Sequence, residues 1–172
     1  MIKKMIKKPK LLLIGHARHG KDSMAEILYE HFGLKFQSSS QSAADIFLYD
    51  TLKEKWWYKT SEECFEDRVN HRTEWYNLIC DYNKDDRARL AKEILLSSDC
   101  YVGMRDRGEI SECLRQGIFD LVIWVDASKR LPPEPSESFN IDESCADIII
   151  ENNGTLEEFV NRVIRLGKVI FK

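Results

Sequence analysis

The 172-residue chain predicts an α/β fold in which helices wrap an open, mostly parallel central sheet and a largely helical segment interrupts the alternation. Three observations lead there. A continuous apolar run, Leu11–Ile14, precedes the glycine-bounded loop Gly15–Gly20, and Met24, Ile27, Leu28 and Phe32 then repeat at helical spacing. From Cys100 onward, apolar runs and amphipathic stretches alternate again. Between these parts, residues 34 to 98 are polar, aromatic and mostly helical in pattern.

Taken in order, the lysine-rich start Met1–Lys10 reads as a fraying end with at most a weak affinity for polyanions. Leu11–Ile14 reads as a strand buried on both faces, and Gly33 supplies the residue past the end of the first helix. A short strand fits Lys35–Gln37. In the insert, Ala44, Phe47, Leu48 and Leu52 mark one helix, and Thr60 with Glu63 resembles a capping box opening a second that runs to about Tyr82. Asp85 or Asp86 starts a third through Leu96. The later elements are a strand at Tyr101–Met104, a helix near Glu109–Gln116 ended by Gly117, strands at Leu121–Val125 and Asp147–Ile150, and a last helix opened by Thr155 with Glu158. Arg130–Asn140, RLPPEPSESFN, is rich in Pro and Ser and reads as a mobile loop too polar to pack.

Composition narrows the class. A net charge of −3 and pI near 5.9 argue against a nucleic-acid coat protein or any stable nucleic-acid binding. No apolar run approaches the roughly 18 residues a bilayer span needs, and LLLI is too short for a signal-peptide core, so the expectation is a soluble cytoplasmic protein. Five cysteines without CxxC spacing and four dispersed histidines read as reduced thiols and unclustered imidazoles rather than a zinc site.

Gly15-His16-Ala17-Arg18-His19-Gly20-Lys21 fits G-x-x-x-x-G-K and lies between strand and helix, the context in which that pattern binds nucleotide phosphates. Glycines let backbone amides approach phosphate oxygens, the helix N-terminus adds partial positive charge, and Lys21 reaches the terminal phosphates from above the loop. Arg18 and His19 fall at the loop's tip, as phosphate contacts or as solvated residues. Ser or Thr commonly follows the lysine to hold magnesium; here Asp22 stands there and Ser23 comes next. Asp22 is therefore a candidate metal ligand or base, or simply a favourable first-turn acid, and Ser23 the alternative hydroxyl ligand.

Gly15–Ser23, and GKDS in particular, resembles the P-loop kinases of tailed phages that act on deoxynucleoside monophosphates. Tyr101–Arg105 followed by Glu109, the strand Phe119–Val125 and Ala146–Glu158 are similar to later segments of that family. The resemblance implies a P-loop NTPase three-layer fold forming a single domain, ATP with magnesium as donor, and nucleotides as small-molecule partners. Its helical acceptor-binding insert would span about 38–98 and its lid-like loop about 130–142. It would also place the protein in an infected host cell if phage-encoded. It assigns Arg105 and Glu109 to the acceptor, Asn152 to the loop near the donor adenine, and a lid role to Arg130. One departure is Gly103, where many relatives carry aspartate; this shifts acid chemistry towards Asp22, with Asp126 as a weaker candidate.

Within the insert, Arg68, His71, Arg72 and Trp75 share one face if the second helix is continuous. Paired arginines suit a dianionic phosphate and an aromatic neighbour suits a base; the alternative is a solvated face paired through Glu66, Asp67 and Glu74. Trp56 and Trp57 read as packing residues more than as a stacking platform. The expected activity is transfer of the γ-phosphate of ATP to a dNMP, giving dNDP. The alternatives are a kinase of another small or modified acceptor, dephospho-coenzyme A-like or a modified pyrimidine nucleotide, and a slowly hydrolysing switch protein, against which stands the lack of N-K-x-D. Oligomeric state is left open, a homodimer included.

Overall fold

The computed structural model describes residues 7–135, 137 and 139–171. Its sheet has five parallel strands in the order β2-β3-β1-β4-β5: β1 Leu11–Ile14, β2 Phe36–Ser38, β3 Cys100–Val102, β4 Leu121–Asp126 and β5 Ile148–Glu151. β1 pairs with β3 on one side and β4 on the other, so all four of its side chains are fully buried, as the apolar run requires.

Alternation along the strands divides the interior into two layers. Leu11 and Leu13 pack with Val102, Ile123 and Val125 against α1 (Lys21–Phe32) and against Phe159 and Val163 of the last helix. Leu12, Ile14, Tyr101 and Trp124 face the opposite layer, built by the insert and by Ile110 and Cys113. Helices on both faces of a parallel sheet give the three layers expected. All strands run the same way, so Gly15, Gly103 and Asn152 emerge at one edge, where open α/β sheets bind ligands.

The insert consists of α2 (Ser39–Ala43), a π-helical turn Ala44–Leu48, α3 (Tyr49–Trp56), α4 (Ser61–Asp67), a 3-10 turn Arg68–Asn70, α5 (Arg72–Tyr82) and α6 (Arg89–Leu95). The predicted single helix from Thr60 to Tyr82 is thus two. The Asp67 carboxylate accepts from Tyr58 Oη (2.6 Å) and Asn70 Nδ2 (2.7 Å) and meets His71 Nε2 (3.0 Å). These side-chain bonds compete with helix continuation and turn the chain. The Thr60 hydroxyl accepts from Glu63 N, but the Glu63 carboxylate takes the amide of Lys59, so the predicted box is only half made.

After β3 come α7 (Arg107–Arg115), whose N-cap is Asp106, then β4, β5 and α8 (Leu156–Ile170). α8 opens with the complete Thr155/Glu158 capping box. Two expectations of looseness are corrected. The start of the chain is pinned by Lys10, whose amide donates to Asp120 (2.7 Å) and whose ammonium donates to Ser98 O (2.6 Å); the expected fraying of Met1–Ile6 lies outside the described residues. The Pro-rich segment also packs: Phe139 and Ile141 at its end are buried beside Trp124, while Ser136 and Ser138 lie outside the described residues. Among the described residues, no helix is long and apolar enough to cross a membrane.

Candidate functional site

The phosphate loop is shaped by its glycines. Gly15 has φ +143, and a Cβ there would lie 2.6 Å from Val125 O, so the chain leaving β1 can graze β4 only without a side chain. A Cβ on Gly20 would lie 2.5 Å from Asn152 Nδ2, the group that donates to His19 O at 3.0 Å and clamps the loop to the end of β5.

Lys21 was expected above the loop and is instead inside it. Only 8% exposed, its ammonium donates to Gly15 O and His16 O, both at 2.8 Å. Burial, then the neighbouring Arg105 guanidinium, pushes it down to about 8. His19 also departs from expectation. Fully buried, it accepts from Ala127 N–H through Nδ1 (3.0 Å), leaving Nε2 to donate to Pro132 O (3.4 Å). Both ring nitrogens thus bond to the protein, and the imidazole is not the solvated loop residue that was the alternative. Arg18 stands at the loop's tip in the left-handed region, φ 63, and borders the cavity described next.

A cavity of about 410 Å³ opens beside the loop. The loop and the start of α1 line it with Lys21 and Asp22, the insert with Arg68, Arg72 and Trp75, and the segment after β3 with Arg105 and Glu109. The break at Asn70–His71 does not separate the two arginines: both still reach the cavity, from the 3-10 turn and from the start of α5. His71 leaves that face. It lies against Trp56, with ring centroids 4.0 Å apart. Trp56 is 39% exposed and Trp57 85% exposed with φ 57, so of the core or interface packing expected for the pair, core packing is excluded.

The cavity's charges are segregated. At the loop end Lys21, Arg68, Arg72 and Arg105 converge; burial and then Arg72 lower the pKa of Arg68, while its guanidinium stacks 3.7 Å from the Phe65 ring centroid and donates to Phe65 O (2.7 Å). At the far end Glu109 is 5% exposed and accepts from Asn83 Nδ2 at 3.1 Å. Burial pushes its carboxyl up to about 7. Trp75 is 4% exposed, and its indole nitrogen has no hydrogen-bond partner among the described residues. Gly103 borders the same space with φ +100 and its carbonyl accepts from Ser39 Oγ (3.1 Å), a backbone state that L side chains rarely adopt.

One carboxylate at the cationic end was missed in the sequence. Glu134, in the middle of the Pro-rich segment, has a side chain 6% exposed. It accepts from Ala17 N–H (2.9 Å), from Arg72 (3.3 Å) and from Arg105, and its own amide donates to His16 Nδ1 (3.0 Å). An acid flanked by Pro133 and Pro135 gives no local signal that it will be buried.

The residues expected at the donor's outer side pair with each other at the end of β5, outside this cavity. Arg130 donates to Asn152 O (2.8 Å) and, like Asn152, does not border the cavity; Asp126 accepts from Asn153 Nδ2 (3.0 Å) and Ser128 N (2.9 Å). The loop suits nucleotide phosphates: it has a cradle that a Cβ would fill at two points, and one of its amides already binds an anionic oxygen. Asp22 is an exposed carboxylate on the cavity wall, suited to magnesium, whereas Ser23 is exposed but does not line the wall.

No protein-family model and no curated protein matches the chain. Among solved structures it is similar to a gluconokinase from Sinorhizobium meliloti 1021, with 14% identity and a TM-score of 0.52, over 95% of this chain and 96% of that one. It is also similar to shikimate kinases from Bacteroides thetaiotaomicron (11% identity, 95% and 99% covered, TM-score 0.47) and Aquifex aeolicus vf5 (12% identity, 93% and 96% covered, TM-score 0.46). The gluconokinase match extends over nearly the whole of both chains, and the fold of this protein is the α/β fold of P-loop kinases.

Proposed function

We propose that the protein is an ATP-dependent kinase that transfers the γ-phosphoryl group to a deoxynucleoside 5'-monophosphate. The carrying observation is the cavity itself: three arginines join Lys21 at its loop end, more cationic groups than the donor phosphates alone require. A second phosphate, that of the acceptor, accounts for the surplus. The far end supports a base-sized group, with Trp75 as an apolar wall and Glu109 held by Asn83 as a hydrogen-bonding partner. The phage-kinase resemblance of GKDS and of the segments after Cys100 points to the same acceptor class.

In this reading Gly15–Ser23 holds the ATP phosphates, with Lys21 moving from its loop carbonyls to the terminal phosphates. Bound magnesium would neutralise phosphate charge, with Asp22 as the residue that would hold it and Ser23 as the alternative. Arg68, Arg72 and Arg105 orient the acceptor phosphate, which needs no general base because its own oxygen is the nucleophile. Asn152 and Arg130 flank the adenine side, residues 38–98 form the acceptor insert, and residues 130–142 form the lid of a single domain.

A second reading, a kinase of a small carboxylate-bearing acceptor, draws on the arginine pair that holds the Glu134 carboxylate, and it requires that acceptor to displace Glu134. A coupled ADP-release assay across the four deoxynucleoside monophosphates, their ribose counterparts and small hydroxy acids tests both. Turnover with a deoxynucleotide supports the first; turnover only with a hydroxy acid replaces it with the second.

A further inference from the structure

We propose that Glu134 is a specificity-determining internal anion: it fills the phosphate position in the free protein, and a phosphoryl group displaces it where a singly charged carboxylate does not. The inference rests on the reading of Gly15–Ser23 as a phosphate site. Its basis is the set of donors that converge on one side chain. Ala17 N–H belongs to the phosphate loop, Arg72 to α5 and Arg105 to the segment after β3. These groups, distant in sequence, share no purpose except to hold an anion, and the anion they hold is part of the chain.

Burying a carboxylate is costly unless it is paired, and clustering arginines is costly unless an anion lies among them. Glu134 resolves both at once. A phosphoryl group carries more charge and more acceptor oxygens than a carboxylate, so it gains more from the same donors. Acetate or a hydroxy acid offers them nothing that Glu134 does not already supply, and Glu134 has the advantage of being tethered.

The surrounding chain suits a part that leaves as a unit. Pro132 and Pro133 precede Glu134 and Pro135 follows it, which stiffens the backbone around the carboxylate. Besides the carboxylate's own bond from Ala17 N–H, two contacts hold the unit to the loop, His16 Nδ1 on the Glu134 amide and His19 Nε2 on Pro132 O. Beyond it the segment is anchored by Phe139, 6% exposed and 4.6 Å from the His16 ring centroid to centroid.

The test is calorimetric titration of the wild-type protein, Glu134→Ala and Glu134→Gln with inorganic pyrophosphate and with ADP, in the presence and absence of excess acetate. If the internal anion occupies the site about nine-tenths of the time, its removal tightens pyrophosphate binding about tenfold. Acetate should then weaken binding to Glu134→Ala by filling the vacated position, and leave the wild type unaffected. Unchanged or weaker pyrophosphate binding in both variants, with binding intact in the wild type, overturns the proposal and leaves the phosphate site standing. Absence of binding in all three proteins removes the phosphate site and the proposal together. Hydrogen exchange on the wild type provides a measurement independent of folding in the variants. The Glu134 amide, flanked by prolines that carry no N–H and bonded to His16 Nδ1 in the free protein, should exchange faster with pyrophosphate present, and unchanged or slower exchange overturns displacement.

Discussion

Replacing Glu109 by Gln should make the protein more stable at pH 8 while leaving its stability at pH 4 nearly unchanged. The side chain is 5% exposed, and burial raises its pKa from 4.5 to about 7, with Asp106 adding to the rise and the Asn83 hydrogen bond and Arg87 opposing it. The sign follows from linkage. Because the folded state holds this proton more tightly than the unfolded chain, stability falls as pH rises from about 4.5 through 7, and the loss is complete above that window. At about 1.4 kcal/mol per pH unit, the difference sets a ceiling of about 3 kcal/mol on the cost of carrying this carboxylate charged at pH 8. Glutamine keeps the acceptor for Asn83 and never ionises, so the variant escapes that cost. Urea unfolding of both proteins from pH 4 to pH 8 should give curves that coincide at the acid end and separate towards the ceiling. A separation independent of pH, or a variant less stable at pH 8, would refute the assignment of the charge penalty to this side chain.

Lys21 carries a second pH signature of opposite kind. Its ammonium is held down to about 8, so a phosphate ligand that needs the charged form must bring a proton at higher pH, and the Kd for ADP should rise about tenfold between pH 7 and pH 9. Lys21→Arg should flatten that profile. Lys21→Ala should cut phosphoryl transfer about 10²-fold or more, and it should also destabilise the fold by about 1 kcal/mol, because Gly15 O and His16 O lose their donor. Steady-state rates and melting curves check the two effects separately. Asp22→Asn should lower kcat far more than it weakens ATP binding; a change confined to about 0.3 to 1 kcal/mol of stability would assign Asp22 to the helix dipole alone. Arg72→Lys and Arg105→Lys should raise the acceptor KM more than they weaken ATP binding, since lysine cannot reproduce a bidentate contact, and the reverse order of effects would assign them to the donor.

What could be read from the sequence is what local pattern determines. The buried run Leu11–Ile14, the two loop glycines, Lys21 and the Thr155/Glu158 box each announce themselves within a few residues, and the five-stranded parallel sheet follows from their alternation. Helix continuity through Arg68 was misread because it depends on Asp67, which collects Tyr58 from nine residues away as well as its near neighbours. The site was legible on its cationic side, where Arg68, Arg72 and Arg105 were expected and do converge. Its anionic occupant was not. Glu134 meets Ala17 across 117 residues of sequence, and a stretch reading P-P-E-P resembles solvated loop until the fold supplies three donors to bury the acid. The burial of His19 was illegible for a related reason: its partners, Ala127 and Pro132, are more than 100 residues distant.

The central strand has a consequence for how this protein can diverge. Leu11 and Leu13 support the layer of α1 and α8, which carries the phosphate loop's helix, while Leu12 and Ile14 support the layer that includes the insert. Mutational load is therefore partitioned by residue parity along a four-residue strand. Substitutions that reshape the insert's packing press on Leu12, Ile14, Tyr101 and Trp124 and need not disturb Leu11 and Leu13, which seat α1. Such a sheet acts as a firewall between two layers, so the insert's packing can be remodelled on one side while the seat of α1 is kept intact on the other.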